Sequence, residues 1–198
     1  MSKYLVILDN GHGKNTPGKC SPKDSDGNQI FEWYYCRLIA NAVKKRLEAK
    51  NIATYLTVPE DVDVALSTRA SRANKQIALA KNKGMKSVMV SIHLNAAGTG
   101  DWKKATGWEV WSTTSKNNSD KLADCFCNAF KDIFPKQKLR GAKEKNFTVI
   151  FKTNCPCVLT ENFFMDSQDD YKLLQSTEGF NQIVELHVRA LLDYMAKN

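Results

Sequence analysis

The sequence has little of what would place it in a membrane or hold it together with disulfides. Its start, "MSKYLVILDN", offers one lysine and five apolar residues, Tyr4 to Leu8, before Asp9. That is too short for a signal peptide or a membrane span. A cytoplasmic chain that acts after release is therefore expected, or an extracellular or periplasmic one if a leader has been removed; stable membrane insertion is not. Cysteines number six, but Cys125 with Cys127 ("CFC") and Cys155 with Cys157 ("CPC") lack the spacing of a zinc finger or a thioredoxin motif. They read as buried free thiols. HExxH, G-x-S-x-G and a phosphate-binding glycine loop are all missing, which removes three common catalytic designs. No internal repeat, low-complexity segment or linker divides the 198 residues, so one domain over 1–198 is expected.

What is present begins with charge and periodicity. The chain is 42% hydrophobic, enough for a sizeable core, and carries 29 Lys+Arg against 21 Asp+Glu, a net +8. That excess favours an anionic partner. Tyr4 to Leu8 is short, apolar and partly β-branched, as a buried strand should be. A loop rich in Gly, Pro, Asn and Asp follows. Gln29 to Lys50 turns helical, with Tyr35, Leu38, Ile39, Ala42, Val43 and Leu47 on one stripe. Ile52 to Thr57 reads as a strand, and Ser67 as the cap of a helix through Ala70, Ala73 and Ile77 that stops near Gly84. Further strands are expected at Lys86 to Leu94, Gly107 to Thr113, Phe147 to Phe151 and Cys157 to Thr160. A helix runs through Leu122, Phe126, Ala129, Phe130 and Ile133. Ser167 with Asp170 resembles a capping box, and the chain from there to Met195 is mostly helical, interrupted around Gly179. Alternating strands and helices predict an α/β fold: a twisted, mostly parallel (mixed) sheet flanked by helices on both faces.

In such a sheet, sites form beyond the carboxyl ends of the strands. His12 lies just after the first strand, in "DNGHG". His93 closes another in "SIHLN", and Glu161 follows the last in "VLTENFF". Glu32 sits in the first turn of the helix that returns from the first strand, three and seven residues before Tyr35 and Ile39, and so points toward the same edge. Two imidazoles and one carboxylate complete the protein shell of a catalytic zinc, leaving a fourth position to water. A second carboxylate outside the shell can act on that water as general base. The third histidine, His187, sits at helical spacing from Ile183 and Leu191 and reads as a core histidine.

The ordered series "DNGHG", "FE" opening a helix, "SIHLNA", "GWEVW" and "PCVLTENFFMD" resembles the zinc-dependent N-acetylmuramoyl-L-alanine amidases, peptidoglycan hydrolases of bacterial autolysins and phage endolysins. The resemblance runs from Tyr4 to about Met195. It implies one Zn2+ ion held by His12, Glu32 and His93, Glu161 as the catalytic carboxylate, and Asn95 lining the substrate groove. Asp9 would brace the His12 loop. Peptidoglycan is the implied partner, with its muramic acid and stem peptide, and anionic wall polymers would account for the basic charge. Departures are also visible. Asn10 replaces the proline or alanine of many relatives, Thr57 is followed by Val58 rather than arginine, and "VIFK" (Val149 to Lys152) stands for "VLR". The lysine-bearing loops Gly98 to Gly107 and Phe134 to Asn146 are where specificity is expected. Three rival readings remain: a wall-binding domain without turnover, a zinc amidase or peptidase for another amide, and a nucleic-acid-binding protein. The last is suggested by Trp102 beside Lys103 and Lys104 but lacks an evident stacking platform, so no nucleic-acid partner is expected.

Overall fold

The computed structural model describes residues 3–115 and 118–198. Among them are six strands and six helices: β1 (Tyr4–Asn10), α1 (Glu32–Glu48), β2 (Ala53–Leu56), α2 (Leu66–Asn82), β3 (Lys86–Asn95), β4 (Trp108–Ser112), α3 (Asn118–Ile133), β5 (Leu139–Glu144), α4 (Thr148–Phe151), β6 (Cys157–Phe164), α5 (Gln168–Gln175) and α6 (Thr177–Lys197). The strands form one sheet in the order β2-β1-β3-β6-β4-β5. β2, β1, β3 and β6 are parallel, while β4 pairs antiparallel with β6 and parallel with β5. The sheet is therefore mixed, with four parallel strands and a reversed pair at one edge.

Apolar residues alternate between two cores, as the pleat requires. Tyr4, Val6 and Leu8 pack with residues of α1, α3, α5 and α6 on one face. Leu5, Ile7 and Met89 pack with Ala73 and Ala80 of α2 and with Val149 and Ile150 of α4 on the other. Every residue of β1 is buried, which is why it reads as a continuous apolar run. Among the described residues, no helix is long and apolar enough to cross a membrane. All six cysteines are free thiols, three of them buried.

Several local expectations are corrected. Phe147 to Phe151 is not a strand: Thr148–Phe151 is the short helix α4. An apolar run of this length has no periodicity that tells a strand from a buried helical turn. Leu139–Glu144 is the edge strand β5, although its composition suits a loop; an edge strand has no need of alternating apolar residues and is often charged. Ser67 does not cap α2, which begins at Leu66 after Ala65. Ser167 occupies the N-cap position of α5 without a side-chain cap bond, and Asp170 accepts from the N–H groups of Phe164 and Gly107 instead. The break in the last helical stretch falls at Ser176, whose hydroxyl caps α6 by accepting from Gly179 N–H at 2.9 Å. Leu38 lies outside the buried stripe of α1 and is exposed.

His187 is the core histidine its spacing suggested. It is fully buried, with Nδ1 2.8 Å from the Ile183 carbonyl and Nε2 3.0 Å from Thr160 Oγ1. Burial pushes its pKa down to about 4, outweighing the Ile183 hydrogen bond. Between that value and the ordinary ~6.5, the unfolded chain binds a proton that the folded chain refuses. Stability is thus full above about pH 6.5 and falls as pH drops toward 4, by ~1.4 kcal/mol for each unit of displacement. Thermal unfolding of the wild type between pH 7 and pH 4 should show this loss, and a stably folded His187→Gln variant should show less of it.

Candidate metal centre

His12 follows β1 in a loop pinned on both sides. Its φ is 59°, a left-handed conformation that a side-chain-bearing residue rarely adopts without support. The support comes from two arginines. Arg37 Nη1 and Arg69 Nη2 donate to the His12 carbonyl at 3.1 and 3.2 Å. Arg69 is buried, and it also donates to the Asn10 carbonyl at 2.6 Å and the Val64 carbonyl at 2.7 Å. It forms ion pairs with Asp9 and Asp63. Asp9 in turn accepts from Thr57 Oγ1 and Ser91 Oγ, so it braces this loop from beneath. The glycines flanking His12 are required by close approach: a Cβ on Gly11 would stand 2.5 Å from the His93 ring, and one on Gly13 1.9 Å from the Asp63 backbone nitrogen.

Glu32 is the first residue of α1, and its side chain turns inward rather than merely complementing the helix terminus. Oε2 lies 3.3 Å from His12 Nε2, and Oε1 lies 3.2 Å from His93 Nδ1. Oε1 also accepts from the Leu94 N–H at 3.1 Å. Burial alone would raise the Glu32 pKa, but the hydrogen bonds and charges of His12 and His93 prevail and hold it at about 2. The two imidazoles meet edge to face with centroids 5.1 Å apart. One ligand atom from each of His12, Glu32 and His93 falls within 4.8 Å of the others. Two imidazole nitrogens and a carboxylate oxygen, converging at a half-open position, form a donor set that fits zinc.

Glu161 does not follow the last strand but lies inside β6, directly opposite His93 of β3. A carboxylate in an apolar strand reads as a terminus, yet β6 continues to Phe164 because the neighbouring polar residue is satisfied. Asn162 is buried, accepts from Trp108 Nε1 at 2.9 Å and donates to the His93 carbonyl at 2.9 Å. Glu161 Oε2 is buried with no hydrogen-bond partner among the described residues. Its carboxyl is held well above the usual carboxylate range by burial first, then by the charges of Glu32 and Glu109.

Asn95, at the end of β3, donates from Nδ2 to Glu109 Oε1 at 3.1 Å and accepts from the Ala96 N–H. Glu109 of β4 pairs across the sheet with Glu161. Burial would raise its pKa, but contacts with Lys143 and Arg140 hold it down. Trp102 packs edge to face on Tyr171 and against the core, so it is a structural aromatic rather than an open platform. Of the residues singled out in the sequence, His12, Glu32, His93 and Glu161 are brought together, Asn95 stands at their rim and His187 lies in the core. Arg37, Arg69, Glu109 and Asn162 are not legible in the sequence because charged or amide residues within helices and strands ordinarily read as solvated, and Arg140 because its segment reads as a loop.

The family model described as N-acetylmuramoyl-L-alanine amidase matches residues 6–193. The endolysin of Bacillus phage SPP1 is 30% identical over 98% of this chain and 67% of its own length. The amidase CwlM of Bacillus licheniformis is 27% identical over 94% of this chain and 66% of its own. The chain thus spans about two thirds of the length of these relatives. Among solved structures, an N-acetylmuramoyl-L-alanine amidase from Clostridium difficile superimposes with a TM-score of 0.82 at 28% identity, covering 98% of both chains. The amidase AmiC2 of Nostoc punctiforme does so with a TM-score of 0.80 at 27% identity and the same coverage. By the extent of the family match and the fold, this chain belongs to the N-acetylmuramoyl-L-alanine amidases.

Proposed function

We propose that residues 1–198 form one catalytic domain that hydrolyses the amide between N-acetylmuramic acid and L-alanine in peptidoglycan, using a zinc ion held by His12, Glu32 and His93. One observation carries this reading: three metal-competent side chains from separate elements converge within 4.8 Å, with Glu161 in register beside His93 on the adjoining strand. When bound, zinc supplies Lewis-acid polarisation of the scissile carbonyl and lowers the pKa of water to roughly 7.

The chain's own residues do the rest. Glu161 lies outside the set of three donors and keeps an oxygen free of hydrogen bonds among the described residues. In its ionised form, which a cation in the adjoining site would favour, it removes a proton from the attacking water and delivers it to the departing alanine nitrogen. Without that delivery the nitrogen would have to leave as an amide anion, which is prohibitive near neutral pH. In the metal-free protein Glu32 is held ionised by its contacts with the two histidines. Arg37 and Arg69 hold the His12 loop in its strained conformation. Asn95 is assigned to the wall of the substrate groove.

Metal analysis of the purified protein, paired with mass spectrometry of digested sacculi, tests cofactor and bond together. The expected result is about one zinc per chain and stem peptides released with a free L-alanine amino group. Release of stem peptide by a stringently metal-free protein would overturn the zinc assignment. Zinc-loaded protein that binds sacculi without releasing peptide would make it a wall-binding domain.

A further inference from the structure

On the site side of the sheet, a row of side chains continues past Glu161. Glu109 of β4 stands opposite Glu161, and β5 lies beyond it as the outermost strand. β5 contributes two cations to this row. Arg140 Nε lies 2.6 Å and Lys143 Nζ 2.7 Å from Glu109 Oε2. The other oxygen, Oε1, accepts from Asn95 Nδ2 and Trp111 Nε1, each at 3.1 Å.

Residues 140 and 143 are three apart, so strict alternation would send their side chains to opposite faces. A register shift between Trp108 and Glu109, with Gly141 at φ 88°, interrupts the alternation and lets both cations reach one carboxylate. Bulges commonly re-aim a side chain next to a site. Each cation is also held against an aromatic ring: the Arg140 guanidinium 4.9 Å from the Phe164 centroid, and Lys143 Nζ 5.0 Å from that of Trp111. The charges do not cancel. Glu109 is 4% exposed, whereas the side chains of Arg140 and Lys143 are 26% and 33% exposed. The negative partner is inside, and the two cationic side chains are partly exposed.

We propose that Arg140 and Lys143 form a carboxylate-binding subsite for an acidic group of the stem peptide, with Glu109 as the positioning residue that holds both. This rests on the reading of His12, Glu32, His93 and Glu161 as an amidase centre. In uncut peptidoglycan the lactyl carboxyl is consumed in the scissile amide, so the adjoining glycan is neutral and the carboxylates lie on the peptide side. Two strand spacings, about 9–10 Å, separate β6 from β5, the reach of about three extended residues. A guanidinium and an ammonium side by side match a carboxylate's two oxygens.

The test compares two muramyl-peptide substrates of equal length, one with free stem carboxylates and one with those groups amidated. The unsubstituted enzyme should favour the free acid on the order of tenfold in kcat/KM, mostly through KM; one charge-assisted contact is worth about that factor. In Lys143→Gln and Arg140→Gln the ratio should fall toward one. A ratio near one in the unsubstituted enzyme overturns the subsite alone and needs no variant. An unchanged ratio in folded variants also overturns it, as does a loss confined to salt-sensitive retention on whole walls, which would assign the cations to an anionic polymer. If neither substrate is cut, the amidase reading falls and the subsite with it.

Discussion

Glu161→Gln should lower the rate of stem-peptide release by roughly 10²–10⁴-fold, the usual scale for a general acid–base group, while the metal content stays at the wild-type level. The substitution keeps the shape of the side chain and an oxygen in place, but an amide neither accepts the proton of the attacking water nor returns it to the leaving nitrogen. Metal is retained because Glu161 is not one of the three convergent donors. Turnover on purified peptidoglycan and zinc content, measured on the same preparation, check both halves. Near-normal turnover would remove Glu161 from the mechanism, and loss of zinc would move it into the coordination set.

Stability gives the same substitution an independent readout. In the metal-free protein the Glu161 carboxyl titrates well above its ordinary range, because burial and the nearby Glu32 and Glu109 oppose its charge. The folded state then binds a proton that the unfolded state has released. Stability is full below the ordinary carboxylate value of ~4.3 and declines as pH rises toward the displaced one. Glutamine carries no such charge, so metal-free Glu161→Gln should unfold at a higher temperature than metal-free wild type at pH 7. Under the proposed mechanism, a side chain that is costly to the fold and needed for the chemistry is the usual trade between stability and activity.

How far such a centre can be read from sequence depends on what surrounds each residue. β1 and β3 were legible because a parallel strand covered on both faces is apolar throughout, so the histidine following one and the histidine near the end of the other stood out. β5 was not, because "LRGAKE" carries the composition of a loop; its place in the sheet comes from pairing with β4. α4 failed for the opposite reason, being too short and too apolar for any period to appear. Glu161 is legible in the sequence as a residue but not as a position. Glu161 and Asn162 look like the end of a strand until Asn162 is seen holding Trp108 and the His93 carbonyl. Arg69 shows the limit most plainly. On a helix its pattern says solvent, yet it is 1% exposed and bonds the carbonyls of Asn10, His12 and Val64. Its role is visible only when the loop after β1 and the start of α2 are together in space.

His93→Ala should lose zinc and activity together, and the reason lies in how few donors there are. With His12 and Glu32 alone, two protein ligands remain. Changes merely behind a ligand already cost metal affinity 10–100-fold, so removal of a ligand should cost more than that, and zinc should be lost on dialysis against a weak chelator. Glu32 adds a second consequence. Its carboxylate is buried and keeps its charge through His12 and His93; with His93 gone, Oε1 retains only the Leu94 N–H among the contacts described above. Leaving a buried polar group short of a partner costs on the order of 1–3 kcal/mol, and more when it is charged, so the variant should also unfold at a lower temperature. Excess zinc should restore little of that stability if His93 is a ligand, and all of it if the ring merely lines the site. A fully loaded, active His93→Ala protein would contradict the assignment of His93 as a ligand.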